Sequence, residues 1–401
     1  MPTFTYVARN RDGKKVKGSL AADNKQALVL ALQRKGLTAD DIKEAGGKSG
    51  KSNIKIKSHE LLIFTRQLST IVNAGLPLLQ GLDILSEQSE DPRFKKVMLD
   101  IAQAVEGGET FSDALRRFPR VFSDLYISMV RAGEASGDLD GVLLQLADYL
   151  ENMAELVRKI RSAMMYPIVA MSMILLITAG LLIFVVPQFE EIFKSFGDKP
   201  LPAPTQMLVM ISNILRSYQF FIVIAVGVAI VFAVRMYGNT PTGRFQLDAL
   251  KLRLPIFGKL LRKVAISRFA RTLSTLTRSG VAILGALEIA ERTAGNEVFA
   301  KAVRDAANSV RNGETLADPL ARSGQFPAMV TRMIAVGEKT GALEQMLSKI
   351  SDFYDSEVKT AIEGLTSLIE PLLIMVMGLV VGGIVIALFM PILMLSTLVQ
   401  T

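Results

Sequence analysis

The chain has 401 residues, of which 50% are hydrophobic, and it carries a formal net charge of +8 with one His, no Cys and no Trp. This length allows about two or three domains. The lack of Cys excludes a disulfide scaffold, a Cys-based zinc cluster and a thiol nucleophile. The polar first 55 residues contain no apolar core of a signal peptide, so we expect the soluble regions to stay in the cytoplasm.

Residues 1–45 are predicted to form a small α/β domain. Alternating apolar side chains predict one strand at 4–8, and a second strand is expected at 16–20. A capped helix should follow and end at Gly36, because Gly accepts the backbone geometry that terminates helices.

Residues 46–58 are rich in Gly and Lys, have no periodic apolar face and are predicted to be a flexible basic linker. Two Gly-Lys-Ser triplets within it look like parts of a phosphate-binding loop. That motif needs an earlier Gly at a fixed spacing, and Ala45 and Ile42 occupy the two positions concerned. We therefore predict no nucleotide binding, no cofactor and no enzymatic activity of the chain's own.

The sequence after the linker repeats itself. The segment FTRQLST, which starts at Phe64, returns as FARTLST from Phe269. The segment GEASG at 133–137 returns as GEKTG at 337–341, and the step from 133 to 337 is 204 positions. A unit of about 130 residues was therefore used twice.

Each copy is predicted to contain a cytoplasmic bundle of about six helices, at 59–166 and at 238–370. A capping-box pattern at 110–113 predicts a helix start in the first copy, and the same pattern returns at 315–318. The fold class is therefore mainly α, with two repeated six-helix bundles beside the small N-terminal domain.

Gly residues bracket the two Gly-Glu-x-x-Gly segments. Gly133 and Gly337 open them, and Gly137 and Gly341 close them. The closing Gly is predicted to end a helix in the left-handed conformation, which costs Gly little.

Glu134 and Glu338 are not explained by helix termination. A carboxylate near the C-terminal end of a helix is disfavoured by the helix dipole, so each Glu is expected to have a partner. Arg66 and Arg271 stand at equivalent positions on Leu-containing helices and are the candidates for one ion pair per copy. The alternative is a direct contact of each Glu with another protein.

Further carboxylates cluster in the first copy and are interpreted as a solvated face, with a calcium ion as the alternative. They are Glu87, Glu90, Asp91, Asp148 and Glu151. The single His59 is interpreted as a residue at the start of a helix.

Three apolar runs are predicted to be transmembrane helices, at 167–187, 218–237 and 371–397, and the uncharged part of the second ends before Arg235. They are long enough to cross about 30 Å of hydrocarbon. No Asp, Glu, Lys, Arg or His lies inside the first or third run, or between Arg216 and Arg235 in the second. Ion and proton pathways normally need such groups at depth, so this pattern argues against a small-molecule permease, which we keep as the alternative function.

The repeat extends into the membrane. Pro167 opens the first apolar run, and Glu370 and Pro371 open the third. Each copy therefore consists of a soluble helical part followed by a membrane helix.

Lys and Arg flank the predicted spans unevenly. They are frequent before the first span and after the second, and sparse at 188–217. The positive-inside rule then places the N-terminus and 238–370 in the cytoplasm, and the loop 188–217 and the C-terminus in the periplasm. The same bias explains the net charge without nucleic-acid binding.

Several segments resemble, in order, the type II secretion F / type IV pilus inner-membrane platform family (GspF/PilC). They are FTRQLST, the two Gly-Glu-x-x-Gly segments, Tyr166-Pro167, Val186-Pro187-Gln188-Phe189, Leu201-Pro202 with Thr205-Gln206, Arg253-Leu254-Pro255 with Gly258, and Glu370-Pro371-Leu372. The resemblance covers nearly the whole chain.

The resemblance implies an inner-membrane platform that couples a cytoplasmic hexameric ATPase to the insertion of pilins or pseudopilins into a fibre. The implied partners are that ATPase, the pilins, other inner-membrane assembly proteins and further copies of the chain, without nucleic acid. Some relatives bind calcium through carboxylates, and Glu90 and Asp148 match them, but Leu144 replaces a third acid. We therefore predict no metal, and the choice between pilus and secretion branch stays open.

Overall fold

The computed structural model describes residues 3–9, 15–21, 38–45, 54–195, 201–255 and 257–398, and it is mainly helical. The chain divides into two compact units, Met1–Leu143 and Leu144–Thr401, which are described separately below.

The first unit begins with three strands, β1 (Thr3–Arg9), β2 (Lys15–Ala21) and β3 (Thr38–Ala45). They form an antiparallel sheet of order β2-β1-β3. The strands expected at 4–8 and 16–20 fall within β1 and β2, whereas β3 has no counterpart among the predicted elements. The helix expected to end at Gly36 lies outside the described residues, as does most of the predicted linker.

Helices of the first copy follow. They are α1 (Ser58–Asn73), α2 (Leu78–Gln88), α3 (Pro92–Glu106), α4 (Phe111–Arg116), α5 (Asp124–Ser136) and α6 (Leu139–Gly180). Side-chain caps fix several of their starts: Thr110 accepts the N–H of Asp113 at 3.2 Å, as its capping-box pattern predicts. The last helix begins in the first unit and continues into the second.

The second unit contains the remaining helices. A π-helical turn (Leu181–Val185) joins α6 to α7 (Val186–Ser195). Then come α8 (Ala203–Arg216), α9 (Gln219–Gly238), α10 (Pro241–Arg253), α11 (Phe257–Arg278), α12 (Ile283–Thr293), α13 (Glu297–Arg311), α14 (Ala317–Arg322), α15 (Ala328–Thr340) and α16 (Leu343–Leu398).

The sequence repeat is also a structural repeat. The four middle helices have the same lengths in both copies: 11 residues in α2 and α12, 15 in α3 and α13, six in α4 and α14, and 13 in α5 and α15. In both copies the sixth helix, α6 or α16, is long and continues into an apolar segment. The same order of six helices therefore occurs twice.

Among the described residues, three helices are long and apolar enough to cross a membrane, within Leu139–Ile192, Gln219–Gly238 and Leu343–Pro391. They contain most of the runs predicted at 167–187, 218–237 and 371–397. α6 and α16 pass through Pro167 and Pro371 as helices, so the soluble part of each copy is continuous with its span.

The connection at 188–217 is not an irregular loop, because most of it belongs to α7 and α8. Three residues of α8 at helical spacing, Thr205, Leu208 and Ser212, are buried. They pack against residues of the first and third spans.

Each copy has a small aromatic core. In the first, the rings of Phe64 and Phe94 lie 5.3 Å apart between centroids, and Phe122 lies 6.4 Å from Phe64. In the second, Phe326 lies 5.0 Å from Phe269 and 5.4 Å from Phe299. All six are buried, and the edge-to-face geometry favours such ring pairs. The duplicated Phe residues therefore set the packing of both copies.

We expect Phe122→Ala and Phe326→Ala each to lower the free energy of unfolding by about 3–5 kcal/mol, because each removes a buried ring and leaves a cavity. Denaturant unfolding of the purified protein in detergent measures the change. Leu99→Ala is the control: this side chain is 45% exposed, so its loss should stay within about 1 kcal/mol. Equal losses for all three variants would contradict the duplicated core.

Candidate functional site

The two Gly-Glu-x-x-Gly segments form helix junctions of the same design. α5 ends at Gly137 with a φ of +76°, and α15 ends at Gly341 with a φ of +71°. Both are left-handed conformations that Gly adopts without strain. This is the helix-terminating role expected for both residues, and it turns the chain into the next, long helix.

The first Gly of each junction permits a close crossing of two helices. A Cβ atom placed on Gly337 would lie 2.8 Å from the Cα of Leu343, and one on Gly133 would lie 3.1 Å from the Cβ of Val142. Both glycines are buried. The opening Gly therefore lets α5 and α15 approach the first turns of α6 and α16.

The Glu of each junction binds the start of a short helix. Glu134 accepts the backbone N–H groups of Phe111 at 2.5 Å and Ser112 at 3.0 Å, at the start of α4. Glu338 accepts those of Leu316 at 2.5 Å and Ala317 at 3.0 Å, at the start of α14. The first N–H groups of a helix lack partners within it and carry its positive dipole end. A carboxylate is therefore stabilised there.

The predicted ion pair between Glu338 and Arg271 is wrong. The guanidinium of Arg271 pairs instead with Asp352 at 3.1 Å and with Asp355. In the first copy, Glu134 has the same type of backbone partner as Glu338 in place of the predicted Arg66. The need for a partner was inferred correctly. The partner is a helix N-terminus, which supplies two N–H groups without a cationic side chain.

A polar seam runs between α11 and α16 of the second unit. Three residues of α11 at four-residue intervals take part: Lys263 pairs with Glu357 at 2.6 Å, Ser267 donates to Asp355, and Arg271 pairs with Asp352 and Asp355. The Arg271 side chain is only 17% exposed, so its pairs are shielded from solvent more than ordinary surface pairs. The seam fixes the register of α11 against α16.

The seam borders a polar cavity of about 450 Å³ in the second unit. Its lining includes Asp148, Glu151 and Tyr149 from α6, together with Arg271 and Arg278 from α11. The Tyr149 hydroxyl lies 3.4 Å from that of Thr272, and burial raises the pKa of Tyr149. Tyr149 therefore stays neutral at physiological pH. The lining around it combines acidic side chains from α6 with basic side chains from α11.

The other predicted residues are spread along the chain. Pro167 is buried within α6, whereas Glu370 and Pro371 are exposed on α16. Glu90 and His59 line a cavity of about 400 Å³ in the first unit. Across the described ranges from residue 54 to 398, no three or more His, Cys, Asp or Glu side chains are grouped so that they could hold a metal ion.

Sequence reasoning missed the acids of the seam. Asp352 and Asp355 lie 204 positions after Asp148 and Glu151, so both copies carry an acid at each position. This duplication is the signal that could have found them, since Arg271 and Arg66 are equivalent as well.

Comparison with known proteins gives a match over both copies. Residues 64–187 and 269–391 match the family described as type II secretion system (T2SS), protein F, and residues 1–43 match its N-terminal domain. The chain is 42% identical over 401 residues to a type IV pilus assembly protein PilC of Myxococcus xanthus, covering 99% of this chain and 96% of the relative.

Two other relatives are of similar length. A PilC of Thermus thermophilus is 43% identical over 399 residues, covering 98% of this chain and 97% of the relative. A type II secretion system protein F of Vibrio cholerae is 35% identical over 407 residues, with full coverage (100%) of both.

We expect Glu338→Ala to lower the free energy of unfolding by about 1.5–3 kcal/mol, because it removes two hydrogen bonds to a charged group and leaves the start of α14 without acceptors. Denaturant unfolding of the full-length protein measures this. Glu338→Gln should lose less, because its amide oxygen still accepts. In a double-mutant cycle with Arg271→Met, the two losses should add within about 0.5 kcal/mol. A larger coupling would restore the ion pair as the explanation.

Proposed function

Because the chain belongs to the type II secretion system protein F family, we propose that its two helical repeats receive work from a separate cytoplasmic ATPase and pass it to pilins entering a fibre. The chain is an inner-membrane platform protein of the pilus and secretion machines, as the family match and relatives show. The coupling to an ATPase is the proposal, and it rests on the structure of the repeats.

Helix continuity is the observation that carries the proposal. α6 has 42 residues and α16 has 56, and each extends from its Gly-Glu-x-x-Gly junction into an apolar span. At 1.5 Å per residue these helices are about 63 and 84 Å long, whereas the hydrocarbon core is about 30 Å thick. A long part of each helix is therefore left outside the membrane. We propose that a displacement of the soluble repeat reaches the span through this continuous helix.

The pilus branch is the better supported of the two. Identity is 42% and 43% to the two PilC relatives, against 35% to the Vibrio cholerae secretion protein. We infer pilins as the fibre subunits, with other inner-membrane assembly proteins and further copies of the chain as neighbours. Assembly of pseudopilins in a secretion machine is the second candidate. A permease is disfavoured because the copies have the same orientation, whereas transporter repeats that bind substrate are commonly inverted.

The orientation of the chain is proposed from its charges. Lys and Arg are concentrated before the first span and after the second, in α10 and α11. The positive-inside rule puts these segments in the cytoplasm. Both repeats would then face the ATPase, and the C-terminal end of α7 would lie on the periplasmic side together with the C-terminus of the chain.

Deleting the gene should abolish surface pili and leave the export of secreted enzymes intact. Electron microscopy of pili and assays of culture supernatants measure the two outcomes. Complementation with Lys51→Ala should restore pili, because the motor is a separate protein. Loss of export with normal pili would assign the secretion branch. Normal pili and normal export together would overturn the platform role in this cell.

Cysteine labelling tests the orientation, since the native chain has no Cys. Glu191 and Asn308 are both exposed. With a membrane-impermeant maleimide, Glu191→Cys should react in intact spheroplasts, and Asn308→Cys should react only after the membrane is permeabilised. The reverse pattern would contradict the proposed orientation without affecting the fold.

A further inference from the structure

Two prolines stand at equivalent positions in the first and third membrane helices. Pro187 and Pro391 are 204 positions apart, and each is the last residue of a segment that matches the family. Proline has no backbone N–H, so a carbonyl in the preceding turn loses its helical donor. In hydrocarbon no water replaces that donor, and another group must supply it.

In the first membrane helix the carbonyl left without a helical donor belongs to Leu182. The π-helical turn makes the N–H of Val186 donate to the carbonyl of Leu181. By the same pattern the carbonyl of Leu182 should receive the N–H of residue 187, which is proline. The hydroxyl of Ser212 donates to this carbonyl at 2.5 Å.

In the third membrane helix the corresponding carbonyl belongs to Ala387. It lies four residues before Pro391, where an α-helix would supply an N–H. The hydroxyl of Thr205 donates to this carbonyl at 2.5 Å. Both carbonyls that the prolines leave open are therefore occupied by hydroxyl groups.

Both hydroxyls come from one helix, α8. Thr205 and Ser212 are seven residues apart, which is about two turns, so they share a face. They are 2% and 1% exposed, and Leu208 lies between them. Leu208 belongs to an apolar cluster with residues of the first and third membrane helices, namely Leu182, Val186, Ile384, Ala387 and Leu388.

α8 lies between the two copies and belongs to neither, since the matched segments end at 187 and resume at 269. A single helix thus serves one open carbonyl in each copy. We propose that α8 is a latch that holds the membrane helices of the two copies at a fixed separation and register, with Thr205 and Ser212 as its positioning residues. This inference does not depend on the proposed function.

The latch predicts a specific coupling between hydroxyls and prolines. Thr205→Val and Ser212→Ala should each lower the melting temperature of the full-length protein in detergent by about 1–3 °C. In Pro391→Ala, the new N–H donates to the Ala387 carbonyl. Adding Thr205→Val to this variant should therefore shift its melting temperature by less than half of the shift that Thr205→Val causes in the wild type. Pro187→Ala should do the same for Ser212→Ala.

Two controls separate the latch from general destabilisation. Thr205→Ser keeps the hydroxyl and should melt close to the wild type. Ser172→Ala removes a hydroxyl that donates to the carbonyl of Val169 in the same membrane span as Leu182. It should cause no shift, because Val169 has no proline four residues later.

Equal shifts of Thr205→Val in the wild-type and Pro391→Ala backgrounds would overturn the latch, and so would the absence of any shift. If Thr205→Val fails to accumulate in cells, its accumulation is scored in place of melting. Recovery in the Pro391→Ala background supports the latch, and failure in both backgrounds overturns it.

Discussion

Backbone hydrogen bonding along two long helices is the constraint on which the structure depends. α6 and α16 begin in the soluble part of each copy and continue into apolar spans. Inside hydrocarbon every carbonyl needs a donor, so each proline in these helices has to be compensated by neighbouring groups. The hydroxyl of Thr205 compensates Pro391 of α16, and that of Ser212 compensates Pro187, which lies in α7 just after α6 and the π-helical turn. Through them, a segment that would otherwise be a connection becomes part of the membrane packing.

The start of each long helix is fixed by charge and steric fit. Gly137 and Gly341 turn the chain, and Gly133 and Gly337 allow the next helix to pack closely. The Glu of each junction binds the N-terminus of a six-residue helix, which is too short to be stable without tertiary contacts. The junction thereby joins three helices of one copy, and the proposed transmission of movement begins there.

Much of this was predictable from sequence, because the duplication supplies two readings of each element. The repeat, the spans and the continuous helices follow from apolar runs and from the returning segments at Phe64 and Phe269. The partners of Glu338 and Arg271 did not follow, because a pattern of residue types does not show backbone N–H groups as partners. The segment that contains α8 was predicted as a periplasmic loop. The 14 residues of α8 are too few to span the membrane, and the hydrogen bonds of its buried hydroxyls depend on two prolines that are distant in sequence.

The most direct test of the proposed coupling interrupts one continuous helix between its soluble part and its span. A Gly-Gly-Ser insertion after Thr360, which is exposed on α16, should leave the protein inserted and present at normal levels but should abolish pili. The same insertion after Gly313, in the turn between α13 and α14 with a φ of +85°, should preserve pili. Normal piliation with the insertion after Thr360 would contradict transmission through α16.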